Sequence, residues 1–171
     1  MIRHGLAAKR SANEYPDDDL RPLLHKGGKS FGQAARGLKV LGTRFKKILT
    51  SPSLRALQTA KILGAVLSVR RSAVFVTGEL DEVFSPAEAL KRLGKMKLPR
   101  SIALVGHEPW LGEFLSLLTT GKPGGRFRLD KGGCCLVEAA SLGKAKGTLV
   151  WLLTQNHLRA LGREQHADKS D

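Results

Sequence analysis

Two spacings of apolar residues alternate along this chain, and that alternation limits its fold more than any other feature. In "KSFGQAARGLKVLGTRFKKI" (29–48), Phe31, Ala35, Leu38, Leu41, Phe45 and Ile48 recur three or four apart, the stripe of an amphipathic helix. "KILTS" then reads as a short strand ending at Ser51-Pro52, and "SLRALQTAKILGAVLS" is helical again, with Leu54, Leu57, Ala60, Ile62 and Leu63 on a broad apolar face. "SAVFVTG" reads as a buried strand stopped by Gly78. "SPAEALKRLGKM" carries a helix start: Ser85 before Pro86, with Glu88 three residues after the serine. "SIALVGH" is another buried strand, "PWLGEFLSLLTTG" a helix closed by Gly121, and "GGCCLVEAAS" and "GTLVWLLT" are two late strands. Strands separated by helices predict an α/β domain with a mostly parallel sheet. The 171 residues suit one core, placed at 1–161, followed by a polar and mobile tail at 162–171.

Ligands of open α/β sheets sit outside the carboxyl ends of the strands. Arg3 and His4 follow a minimal first strand, Ser51 ends "KILTS", and Arg55 comes within a helical turn of it. Glu82 follows "SAVFVTG", and His107 ends "SIALVGH". Neighbouring parallel strands would gather these residues at one edge. Taken singly, each has an ordinary explanation as a solvated charge or a loop residue; the ordered set is what carries weight.

Two imidazoles and two guanidiniums at one edge suit phosphoryl chemistry. Arginine binds phosphate oxygens in pairs and keeps its charge. A neutral imidazole can attack phosphorus and form a covalent intermediate, while a second imidazole steadies the charge on the equatorial oxygens. Metal binding is the competing use of two histidines, but no carboxylate or thiol has ligand-like spacing to either, so no metal and no cofactor is expected.

The formal net charge of +14 is unevenly placed, with no acidic residue between Asp19 and Glu79. Twelve lysines and arginines, from Arg21 to Arg71, fall in that interval, a field that attracts anions. Few aromatics and no zinc-finger or RNA-module signature count against nucleic acid. No run approaches membrane-spanning length and no secretory signal is visible, so a cytoplasmic protein without a membrane partner is expected. Cys134 and Cys135 are adjacent, which on a strand sends them to opposite faces, so two free buried thiols are expected.

The ordered motifs resemble the histidine phosphatase superfamily. "IRHG" is similar to the opening Arg-His-Gly of its phosphoglycerate-mutase-like members. "TSPSLRALQTAKIL" resembles the second motif, and "LVGHEPWLGEFLSLL" the third, a Gly-His after a buried strand. "DDDLRPLLHKGGKSFGQAARGL" and "LDKGGCCLVE" resemble the SixA type of phosphohistidine phosphatase. The similarity runs from Arg3 to about Leu161.

That resemblance implies a phosphoglycerate-mutase-like, three-layer α/β/α sandwich. It also implies a metal-independent phosphatase with His4 as the nucleophile, Arg3, Arg55 and His107 as the phosphate pocket, and Glu82, two after Leu80, as proton donor. The implied substrate is a phosphorylated protein, such as a phosphohistidine carrier domain steered by the basic stretch, and a monomer is expected. Two other readings stay open on the residues: a phosphatase of sugar phosphates or nucleotides, and a non-catalytic module binding anions or nucleic acid on the same fold. The family usually carries several strand residues before its Arg-His-Gly. Here Met1 and Ile2 alone precede Arg3, which leaves two expectations, a start further upstream or a more loosely held nucleophile.

Overall fold

The computed structural model describes residues 1–143 and 146–167. Its strands are β1 (Ile2–Arg3), β2 (Lys47–Thr50), β3 (Val74–Val76), β4 (Ile102–Gly106), β5 (Cys134–Glu138) and β6 (Thr148–Leu153). They form one sheet in the order β3-β2-β4-β1-β5-β6. The first four in that order run parallel, while β5 is antiparallel to β1 and β6 to β5, so the sheet is mixed around a parallel majority. The helices are α1 (His25–Val40), α2 (Leu54–Val66), α3 (Pro86–Leu93), α4 (Trp110–Thr120) and α5 (Gln155–Ala167).

Alternation along the central strands splits the apolar residues between two layers of helix. Ile48, Ala103, Val105 and Cys134 face a core that holds Phe31 and Leu38 of α1, Ala56 and Leu63 of α2, and Leu158 of α5. Their neighbours Leu49, Leu104 and Cys135 face the other core, with Leu90 of α3 and Trp110, Leu111 and Phe114 of α4. This is the expected α/β/α sandwich. The adjacent cysteines fall on opposite sides of the sheet, and both are free and buried, with burial pushing the Cys134 thiol up to about 12. Among the described residues no helix is long and apolar enough to cross a membrane.

Several local expectations hold in detail. Ser85 and Glu88 form a reciprocal capping box at α3, and Gly121 closes α4 with φ +76°. Others need correction. The stripe from Phe31 ends at Val40, because Gly42 turns left-handed (φ +70°) and its N–H closes on the Lys39 carbonyl. Ile48 belongs to β2, not to the helix; helical and strand spacings coincide over the short connection. β3 is not a buried strand but the sheet's edge, with Phe75 and Val76 about half exposed and the Lys47 ammonium 4.5 Å from the Phe75 ring centre.

The polar tail expected from 162 is instead the second half of α5, which continues to Ala167; residues 168–171 lie outside the described residues. α5 lies close against α1. A Cβ on Gly37 would fall 1.9 Å from the Leu158 carbonyl oxygen, and one on Gly162 2.8 Å from that of Gln33. With glycines at the contact, Leu158 and Leu161 are the only large apolar residues of α5, too short a period to extend the helix to Ala167 from sequence.

β1 is two residues long, yet its ladder continues past both ends. The Met1 ammonium donates to the Cys135 carbonyl at 2.7 Å, and Cys135 N–H returns a bond to Met1. Arg3 N–H bonds Gly133, His4 N–H bonds Gly106, and the Gly132 N–H donates to the His4 carbonyl at 3.0 Å. The expectation of a loosely held His4 thus meets a backbone tied on both sides.

Candidate active site

The carboxyl ends of β1, β2 and β4 bring His4, Ser51 and His107 together, and the first turn of α2 adds Arg55. All four side chains are buried. The rings of His4 and His107 stand 5.1 Å apart, centre to centre, and 52° from parallel. Arg3, on β1, is half-buried beside them; its guanidinium and that of Arg55 act electrostatically on both rings. Glu82 lies on the exposed loop after Leu80, near enough to act on the Arg55 charge, and among the described residues no hydrogen bond fixes its carboxylate.

His4 Nδ1 is 2.7 Å from the Gly5 carbonyl oxygen. A carbonyl only accepts, so Nδ1 carries the proton and Nε2 keeps its lone pair. Burial, with Arg55, Arg3 and Arg21 adding repulsion against the Gly5 bond, lowers the His4 imidazole to about 4. The ring is therefore neutral at pH 7. His107 is lowered to about 3 by burial, by His4 and by the same arginines. Its Nε2 meets the hydroxyls of Ser51 at 2.8 Å and Ser53 at 3.1 Å. Ser53 is the N-cap of α2, but its hydroxyl makes no cap bond and turns to the imidazole instead.

Asp18 organises the arginines from the opposite wall. Its carboxylate takes Arg55 Nη2 at 3.2 Å and Arg21 Nη2 at 3.1 Å, and its carbonyl accepts from Arg55 Nη1 at 2.6 Å. Arg21 holds the Asp18 carboxyl below the usual range. Arg21 Nη1 also donates to the Ala8 carbonyl. Among the described residues, four buried side-chain nitrogens lack a partner, and three of them belong here: Arg3 Nε, Arg55 Nε and His107 Nδ1. Buried polar nitrogens are seldom left unsatisfied without a reason.

The remaining motif residues are braces. Thr59 Oγ1 accepts from Gly5 N–H at 3.1 Å and donates to the Arg55 carbonyl at 2.7 Å, so one hydroxyl ties the loop after His4 to α2. Gln58 Oε1 accepts from Leu23 N–H at 2.7 Å. At Gly27 a Cβ would lie 2.0 Å from the Leu6 carbonyl oxygen, so only glycine lets α1 start this close to the loop. Sequence reasoning misses Asp18, Arg21, Ser53, Gln58 and Thr59 as site residues, although all five lie inside the family-like motifs.

A profile of the histidine phosphatase superfamily (branch 1) matches residues 1–88, just over half of the chain. The chain belongs to that superfamily. The profile stops before His107, which this fold nevertheless delivers to the same pocket. The chain is 38% identical over 137 residues to an uncharacterized protein of Picosynechococcus sp. (strain ATCC 27264 / PCC 7002 / PR-6), covering 78% of this chain and 79% of that one. It is 29% identical over 127 residues to phosphohistidine phosphatase SixA of Escherichia coli (strain K12), covering 71% and 74%. Among solved structures, the protein histidine phosphatase SixA complexed with tungstate matches with a TM-score of 0.73 at 27% identity, over 92% of this chain and 96% of that one. The protein is accordingly a SixA-like phosphatase of the histidine phosphatase superfamily.

Proposed function

We propose that the protein hydrolyses phosphohistidine on a partner protein through a phosphohistidine intermediate on His4. The observation that carries this reading is the His4 Nδ1–Gly5 bond, which leaves Nε2 as a neutral nucleophile in the field of the Arg3 and Arg55 guanidiniums. In the first step Nε2 forms a bond to phosphorus in line with the departing nitrogen, whose bond to phosphorus breaks. Arg3, Arg55 and His107 hold the three non-bridging oxygens. When a serine hydroxyl donates to His107 Nε2, the ring proton is on Nδ1, which has no other partner among the described residues. Water then attacks the phosphoenzyme, releasing phosphate and restoring His4.

Support for phosphohistidine comes from the likeness to the SixA proteins and from Glu82. An alkoxide leaving group needs a positioned acid, whereas a phosphorylated imidazole takes a proton from solvent near neutral pH, as histidine does, and then departs as neutral imidazole. The exposed, unanchored Glu82 suits the second case and helps the water step. Nine of the twelve cations between Arg21 and Arg71 are exposed, and only Arg21 and Arg55 turn into the site. That field steers an acidic phosphoprotein towards the protein.

The test compares a phosphohistidine carrier domain, an aryl phosphate, a sugar phosphate and a nucleotide, with wild type and His4→Ala. Expected are preference for the carrier domain, label trapped on His4, and a loss of at least about 10³-fold in His4→Ala. Higher ionic strength should lower kcat/KM for the carrier domain more than for the aryl phosphate. Faster turnover of the sugar phosphate or nucleotide would assign a small-molecule phosphatase. Unchanged hydrolysis in His4→Ala would remove the mechanism altogether.

A further inference from the structure

Glu108 follows His107 directly, yet its side chain leaves the pocket and enters the wall behind it. Oε1 accepts from Leu129 N–H at 2.8 Å, and Oε2 from Gly112 N–H at 3.3 Å. One carboxylate thus ties the first turn of α4 to the segment before β5. The fit is tight: a Cβ on Gly112 would come within 3.0 Å of Glu108 Oε2 and 2.3 Å of the Phe127 carbonyl oxygen. Leu129 is fully buried in the apolar core with Trp110 and Phe114.

The backbone of Leu129 has a second bond. Its carbonyl accepts from Arg3 Nη1 at 2.9 Å. Among the described hydrogen bonds this is the one that orients the Arg3 guanidinium, whose Nε is buried without a partner. The same peptide segment is therefore held by Glu108 through its N–H and holds Arg3 through its carbonyl. We propose that Glu108 is a positioning residue: through Leu129 it fixes the angle at which Arg3 presents its free donors to a phosphoryl group. This rests on the reading of the pocket as a phosphate site.

The half-buried carboxylate sits in the field of Arg3 and Arg128, and its influence is the largest one holding the Arg3 charge in place against burial. Removing the side chain strips two N–H groups of their acceptor and lets the segment drift. A shift of a fraction of an ångström at Leu129 passes directly to Arg3, and displacements of that size weigh heavily on rate.

A double-mutant cycle with inorganic phosphate as the binding probe and an aryl phosphate as substrate tests this. Glu108→Ala is expected to weaken phosphate binding and to lower kcat/KM, each by about tenfold. Glu108→Gln, which keeps an acceptor for Leu129 N–H, should restore both to within about threefold of wild type. In an Arg3→Ala background, Glu108→Ala should change neither further, since the two residues act through one contact. Equal losses in both backgrounds, or no loss in either, would overturn the proposal. Should Glu108→Ala fail to fold, Glu108→Asp takes its place in the same cycle, because its shorter arm withdraws the carboxylate from Leu129. A loss confined to the wild-type background, with none added to Arg3→Ala, then supports the proposal, and equal losses or none overturn it. Phosphate binding reads the pocket whichever substrate class is turned over, so failure here is distinct from failure of the phosphohistidine assignment.

Discussion

The two ends of the sheet are built on opposite terms. At the carboxyl end, four polar side chains are buried within reach of one another, and a dense set of hydrogen bonds braces them. At the amino end lies an open hollow of about 820 Å³, lined by apolar groups such as Leu98, Leu118 and Trp151 and by charged ones such as Arg44, Arg100 and Glu138. There Ile102 and Ala103 of β4 pair only with β2, and Leu136 and Val137 of β5 only with β6. The amino end thus opens as a surface hollow, whereas the carboxyl end buries two imidazoles and the Arg55 guanidinium side by side. Stability and chemistry should therefore separate along the strand axis.

The sharpest way to break that comparison pairs a substitution from each end. Arg55→Ala removes a donor fork and leaves the Asp18 carboxylate, which Arg55 and Arg21 share, without one of these two guanidiniums; kcat/KM should fall about 10²- to 10³-fold. Leu118→Ala, in α4 against the hollow, should cost about 2–4 kcal/mol of stability while kcat/KM stays within about twofold. Steady-state kinetics and urea unfolding on both variants decide it. A large kinetic loss in Leu118→Ala would mean that the two ends are mechanically coupled.

The contrast also explains what the sequence could reveal. Most strands, four of the helices and the α/β class were legible because apolar spacing reports burial, while the three-layer sandwich was implied by the family resemblance. The pocket was legible because Arg3, His4, Arg55 and His107 stand at strand and helix ends in order. α5 was not, because it docks through Gly37 and Gly162, where the signal is a missing side chain. The exposed edge of β3 was not, because the short apolar run at 73–76 does not tell whether both faces are covered. Asp18 and Ser53 were hidden differently. An Asp beside two others and a Ser at a helix start have commonplace local uses, and only the fold shows the first bound to Arg55 and the second diverted from its cap to His107.

Acid should act on the carboxyl end first, and in a definite direction. His4 binds its proton near 4 in the native protein and near 6.5 when unfolded, so the unfolded chain holds more protons between those values. Stability is complete above pH 6.5 and declines as pH falls towards 4, by on the order of 3 kcal/mol from His4. His107, lowered to about 3, adds to the decline over a window reaching one pH unit further. The acid limb of kcat/KM, which reports the free enzyme, should fall below about pH 5 and not near 6.5. A limb centred at 6.5 would show that burial does not hold the His4 ring neutral.

The smallest effect separates orientation from architecture within the tight end itself. Serine at an N-cap ordinarily contributes about 1 kcal/mol through its side chain, so Ser→Ala there usually lowers stability. Ser53 makes no such bond: its carbonyl still receives the Ala56 and Leu57 N–H groups, while its hydroxyl sits 3.1 Å from His107 Nε2. Ser53→Ala should therefore leave the unfolding midpoint nearly unmoved and lower kcat about three- to tenfold, as His107 loses one of two hydroxyls that set its ring. Ser51→Ala removes the shorter contact, 2.8 Å, and should cost more. Because either hydroxyl can serve the same nitrogen, the double variant should lose more than the product of the two single losses. A simple product would mean that Ser51 and Ser53 act on different groups and that His107 takes its orientation from elsewhere.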